Sequence, residues 1–194
     1  MPHSSRYGPA AGALLALLAA ACAPSLGSYR FESVDMVARE AIAAPADFEP
    51  KTAPYPAYLR VHFSSEANLN TLAETREDIE AQADLCPLQD PQGVTVLGPF
   101  AVGQALAIRA RSPDGVAAPG LARVLERDEN GRYAYTAYVV PARPAQTAGK
   151  AYDLAAEPRD LCLRLEATGA ARPERSNVFV APAAAIRAAV AAAR

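Results

Sequence analysis

Histidine is scarce in this 194-residue chain: there are two, and only His62 lies beyond the first 21 residues. A site that needs two imidazoles is therefore excluded from the rest of the chain. Metal-binding signatures are missing as well, with no H-E-x-x-H, no calcium-loop pattern and no cysteine pair at zinc spacing. No G-x-G-x-x-G or P-loop is present to cradle a phosphate, and no G-x-S-x-G or S-x-x-K to present a nucleophile. The sequence thus calls for no metal and no cofactor. Basic blocks are absent too. The formal charge is −2, and past residue 21 it is 18 basic against 21 acidic residues. That balance leaves no electrostatic footprint for nucleic acid.

Long proline-free stretches are equally rare. Seventeen prolines cut the chain into short pieces, and only Ala57 to Cys86 runs much beyond 20 residues without one. Proline removes a backbone donor and breaks helix interiors, so a bundle of long helices is excluded. The longest apolar run, Ala10 to Cys22, is thirteen residues, whereas a membrane-spanning helix needs about 20. That run follows a short segment carrying Arg6 and ends in Ala19-Ala20-Ala21, the composition of an export signal with a small-residue cleavage site.

The segment Leu18-Ala19-Ala20-Ala21-Cys22 resembles the lipobox of bacterial lipoproteins, with Ala19 where such boxes usually carry Leu. The resemblance covers residues 1–22 only. It implies removal of residues 1–21, lipid on Cys22 as the mature first residue, and membrane association through that lipid. Ala23, rather than Asp, follows the cysteine, which in such lipoproteins implies the outer membrane, facing the periplasm. The alternative reading is an ordinary signal peptide cut between Ala19 and Ala23.

Three cysteines are present. With Cys22 lipidated, Cys86 and Cys162 remain, and an exported chain with two leftover cysteines most simply forms one disulfide. Two buried free thiols are the competing reading.

The chain divides into a signal peptide (1–21), a lipidated tether and proline-rich connector with a short helix (22–56), and a single β-rich domain (57–194). The tether Cys22 to Tyr29 spans at most about 25–30 Å. Residues Glu32 to Ala44 have helical spacing, with Val34, Val37, Ala38, Ala41 and Ile42 in register, against a competing strand at Tyr29 to Met36. Tyr58 to Phe63 alternates as a half-buried strand, with Leu59, Val61 and Phe63 on one face and Tyr58, Arg60 and His62 on the other. Leu69, Leu72, Ile79, Ala83 and Cys86 then fall on one helical stripe, and Thr71 with Glu74 has capping-box spacing. This predicts one inserted helix with Cys86 facing inward at its end.

Beyond Pro87 the pattern is strand and turn: Val94 to Leu97, Gln104 to Arg111, Leu121 to Arg127, Arg132 to Val140, Asp160 to Thr168 and Asn177 to Val180. Asp128-Glu129-Asn130-Gly131 is a hairpin signal, and Pro182 opens an alanine-rich helix with Ile186 and Val190 as its thin apolar face. Short strands at such spacing predict a mainly β (α+β) fold: an antiparallel β-sandwich or barrel-like sheet with one inserted helix and a short C-terminal helix.

Two surface readings follow. His62 with Ser64 or Ser65 and Glu66 sketches a nucleophilic set, but neighbours on one strand face sit too close for base and nucleophile. The alternative for His62 is a hydrogen-bonded strand residue. Arg109, Arg111, Arg123, Arg127 and Arg132 with Tyr133 and Tyr135 form a candidate binding surface for a glycan, lipid headgroup or envelope protein. Against it stands cross-strand tyrosine packing with arginines as a solvated edge. The balance points to a non-catalytic binding or assembly module, with a small envelope hydrolase or an apolar-ligand carrier as alternatives.

Overall fold

The computed structural model describes residues 26–43, 46, 48–75, 77–101, 125–144, 150–168 and 173–194. Cys22, expected to carry lipid, and the arginines Arg109, Arg111 and Arg123 lie outside these, as does the segment expected to form the Gln104 to Arg111 strand.

Alternating apolar residues build two antiparallel sheets that face each other. The first has the order β1 (Tyr29–Ala38), β2 (Ala57–Ser65), β5 (Tyr133–Val139), β4 (Val96–Ala101). The second has the order β10 (Phe179–Ala181), β8 (Leu161–Thr168), β3 (Glu77–Leu85), with β9 (Glu174–Arg175) beside β8. A small ribbon pairs β6 (Ala142–Arg143) with β7 (Tyr152–Asp153). Leu59, Val61 and Phe63 of β2 meet Leu161, Leu163 and Leu165 of β8 across the core, each 1 % exposed or less. Four rings fill the centre: Phe63 lies 5.0 Å from Phe179 and 5.8 Å from Tyr135, and Tyr29 lies 5.9 Å from Phe63.

Two seams join the sheets. At one, Val94 forms an isolated bridge to Ala83, carrying β4 alongside β3. At the other, the Asn177 side chain acts as a strand partner for β1: its Oδ1 accepts from Tyr29 N–H (2.6 Å) and its Nδ2 donates to Tyr29 O (2.9 Å). The C-terminal helix α3 (Ala183–Ala192) packs on β1 through buried Ile186, Ala189 and Val190. Its first N–H groups need partners, and Asp160 supplies one by accepting from Ala183 (2.7 Å).

Several sequence expectations change. Tyr29–Ala38 is the strand rather than the helix of residues 32–44, and it pairs with β2 along its length. The residues that match helical spacing are divided between two faces, with Val34 against the main core and Val37 and Ile42 in the outer cluster, and the ladder to β2 decides for the strand. The β-rich domain therefore begins before residue 57. The short helix of the connector lies later than the spacing at residues 32–44 indicates: after a 3-10 turn (Arg39–Ala41) the chain forms α1 (Glu49–Thr52) and folds Phe48 onto the outer face of the first sheet. There Phe48, Phe100, Tyr58 and Tyr138 form a second apolar cluster, so Tyr58, on the face opposite Leu59 and Val61, is nevertheless buried.

The single helix ending at Cys86 is also overturned. The inserted helix α2 (Leu69–Thr75) is short, and the chain then becomes β3, paired with β8. Ile79, Ala81, Ala83 and Leu85 alternate with Glu80, Gln82 and Asp84, a period of two that a four-residue step from Ile79 to Ala83 also satisfies. Ladder bonds to β8 decide between the periods. Cys86 follows this strand and bonds Cys162 with Cα atoms 5.0 Å apart, stapling adjacent strands rather than a helix to a sheet. Beyond it, buried Asp84 orders the loop by accepting from the N–H groups of Leu85 (2.8 Å), Gln89 (3.1 Å) and Asp90 (2.9 Å). A Cβ on Gly93 would overlap that carboxylate. The hairpin signal at 128–131 gives a tight turn into β5, with Asp128 Oδ1 accepting from Arg132 N–H (2.8 Å), but residues 125–128 before it are not a strand.

Candidate functional site

On β2, Arg60, His62 and Ser64 point away from the core, as alternation requires. Beside them β1 supplies Asp35 opposite Arg60, and β5 supplies Thr136 opposite His62. The shift after Phe31 also turns Glu32 toward Ser64. The result is a polar ladder on the outer face of the first sheet, next to the Phe48 cluster.

Its lower rung centres on Asp35. Arg60 donates to both carboxylate oxygens, Nε to Oδ1 (3.0 Å) and Nη2 to Oδ2 (2.7 Å), and His62 Nε2 lies 3.0 Å from Oδ1. His62 Nδ1 is 3.4 Å from Thr136 Oγ1. With the imidazole neutral and Nε2 protonated, Nε2–H donates to Asp35 and Nδ1 accepts from Thr136, an acid–imidazole–hydroxyl line. Thr136 is 5 % exposed, which shields its hydroxyl from a bulky substrate. Partial burial opposes ionisation of Asp35, yet the hydrogen bonds and charge of Arg60, then those of His62, hold its carboxyl below the usual range.

The upper rung centres on Ser64. Its hydroxyl donates to Glu32 and accepts from Arg132 Nε (2.8 Å) and Arg30 Nε (3.3 Å). Arg132 Nη2 also donates to Ser64 O (2.9 Å). The Ser64 bond, ahead of those from Arg30, lowers the Glu32 carboxyl below its ordinary value. His62 and Ser64 thus belong to separate hydrogen-bonded sets. Ser65 points the other way, is fully buried and donates to Ser28 O (2.8 Å). Glu66 is exposed and lies 3.8 Å from Arg132.

The arginine–tyrosine surface fares differently. Tyr135 is fully buried: its hydroxyl donates to Ala67 O (2.7 Å) and accepts from Leu69 N–H (3.0 Å), anchoring the start of α2. Tyr133 faces the same core and accepts from Arg127 Nε at 3.1 Å, with the guanidinium over its ring. Arg132 is turned to Ser64. These tyrosines are therefore core residues rather than a platform, because their strand face is the one covered by the second sheet. The ladder residues Glu32, Asp35 and Thr136 were not singled out from sequence, since the bulge conceals the face that β1 presents.

Among the described residues no group of three or more His, Cys, Asp or Glu side chains is placed to hold a metal ion. No described helix is long and apolar enough to cross a membrane. Compared with protein-family models, curated proteins and solved structures, the chain matches none.

Proposed function

We propose that this chain is a lipid-anchored lipoprotein of the bacterial cell envelope, held at the outer membrane through Cys22 and facing the periplasm. Its domain acts as a non-catalytic binding or assembly module for an envelope protein or glycan. The lipobox-like segment supports the anchor, and the Cys86–Cys162 bridge agrees with an oxidising compartment. The observation that carries the binding role is the ladder on the first sheet. Asp35, Arg60, His62 and Glu32 are partly or fully exposed, yet each is fixed by partners on neighbouring strands, with buried Ser64 between them holding Glu32. A rigid polar surface of this kind costs little side-chain entropy when it meets a partner.

Cross-linking in intact cells tests this reading. The expected result is a partner trapped by the native chain, lost with Cys22→Ser and reduced with His62→Ala in a protein that remains folded. Equal trapping by all three refutes it. The hydrolase reading is favoured by one observation, the line Asp35–His62–Thr136, and it requires ester or amide hydrolysis that both His62→Ala and Thr136→Val abolish. The carrier reading draws no support from the packing, since the Phe63, Tyr135, Phe179 and Tyr29 rings occupy the space between the sheets.

A further inference from the structure

The fold takes hold of the chain much earlier than the sequence indicates. Leu26 is fully buried, and its N–H donates to Arg175 O at 3.4 Å. Gly27 follows with φ +87°, and a Cβ there would meet Ala67, a passage that suits glycine. Tyr29 is then clamped by Asn177. Between Cys22 and Leu26 there are only four residue steps, which reach at most about 14 Å when fully extended. The ten residues of β1 that follow extend about 33 Å. A tether so much shorter than the domain restricts which end can meet the membrane.

We infer that the pole of the sandwich formed by Gly27, Ala67, Arg175 and Val178 sits directly on the bilayer surface, with Val178 entering the headgroup region. This rests on the lipoprotein reading above. Val178 directly follows Asn177, the residue that clamps Tyr29, and is 46 % exposed, the most exposed of the large apolar side chains among the described residues. The occupant is a lipid surface because the anchor lies four residues from this pole, whereas Ala38 to Ala43 are at the other end of β1. Among the described residues three arginines near the pole are paired: Arg30 with Glu32, Arg132 with Glu66, and Arg175 with Glu166. Seating is therefore governed by the tether and Val178 and does not depend on anionic lipid.

The chain contains no tryptophan, so an introduced indole reports alone. Val178→Trp and Glu66→Trp place it at the proposed pole, and Ala41→Trp at the other. Each variant is expressed from the full sequence, purified from membranes and reconstituted into vesicles containing bromolipid. Mass spectrometry first reads the acyl mass on Cys22, and its absence overturns the lipoprotein reading. The pole is tested independently of that reading with the chain produced without acylation, in which the Cys22 thiol, the one outside the disulfide, is free to add to a maleimide phospholipid. The expected result is a blue shift and loss of emission for Trp at 178 and 66, with none at 41, equally on zwitterionic and anionic vesicles. Equal or greater quenching at position 41, or no response at 178 and 66 in vesicle-bound protein, overturns the orientation.

Discussion

Asp35 holds together one rung of the outer face, receiving the fork of Arg60 and one nitrogen of His62 on a single carboxylate. Because its native pKa is lowered, as is that of Glu32, the sign of the pH effect follows directly. The stabilisation is complete above the unfolded carboxylate value of about 4 and is lost as pH falls through the lower native value. Exposure of the pair limits its worth to about 0.5–1 kcal/mol. Asp35→Asn is thus expected to lower stability slightly at pH 7 and to flatten the decline toward pH 3. Urea unfolding at the two pH values checks this, and an unchanged acid slope would count against the assignment. Arg60 and His62 are legible in the sequence as the outward set of an alternating strand. Asp35 is not, because the irregularity after Phe31 shifts β1 out of the period of two on which such a reading depends.

At the level of elements, the exposed edges of a sheet must be paired or covered, and here the covers differ. The β3–β4 seam is closed by a backbone bridge at Val94. The β1–β10 seam relies on one amide side chain, Asn177, in place of a strand. Asn177→Ala leaves the N–H and carbonyl of buried Tyr29 without those partners, at an expected cost of about 1–3 kcal/mol. Hydrogen exchange should show faster exchange confined to the first residues of β1, while the β2–β5 ladder keeps its protection. Uniform loss of protection would mean that the seam does not open separately. Nothing local distinguishes Asn177 from any other asparagine near a turn. Its role arises from the approach of residues 148 positions apart.

For the molecule as a whole, the disulfide closes a loop with a sequence separation of 76. In the chain-entropy model such a loop is worth about 4 kcal/mol, a large share of the stability of a single domain. Reduction, or Cys86→Ala with Cys162→Ala, is expected to lower the melting temperature markedly while leaving the sheets assembled at low temperature. Calorimetry with and without reductant measures it, and an unchanged transition would show that the packed core holds the fold without the bridge.

Composition and local pattern were sufficient for the β-rich class, for the strands at Ala57–Ser65, Tyr133–Val139 and Leu161–Thr168, for the C-terminal helix and for the Cys86–Cys162 pairing. Those features follow from alternation, proline placement and cysteine number, all of which act over short distances or by counting. Tertiary structure alone decided that Glu77–Leu85 is a strand, that Tyr135 is core rather than surface, that the connector covers Tyr58, and that Leu26 is held by the fold. In each case the deciding interaction is with a distant segment: β8 for Glu77–Leu85, the second sheet for Tyr135, Phe48 for Tyr58, and Arg175 for Leu26. Burial and ladder bonding are properties of the assembled chain, and a window of ten residues does not contain them.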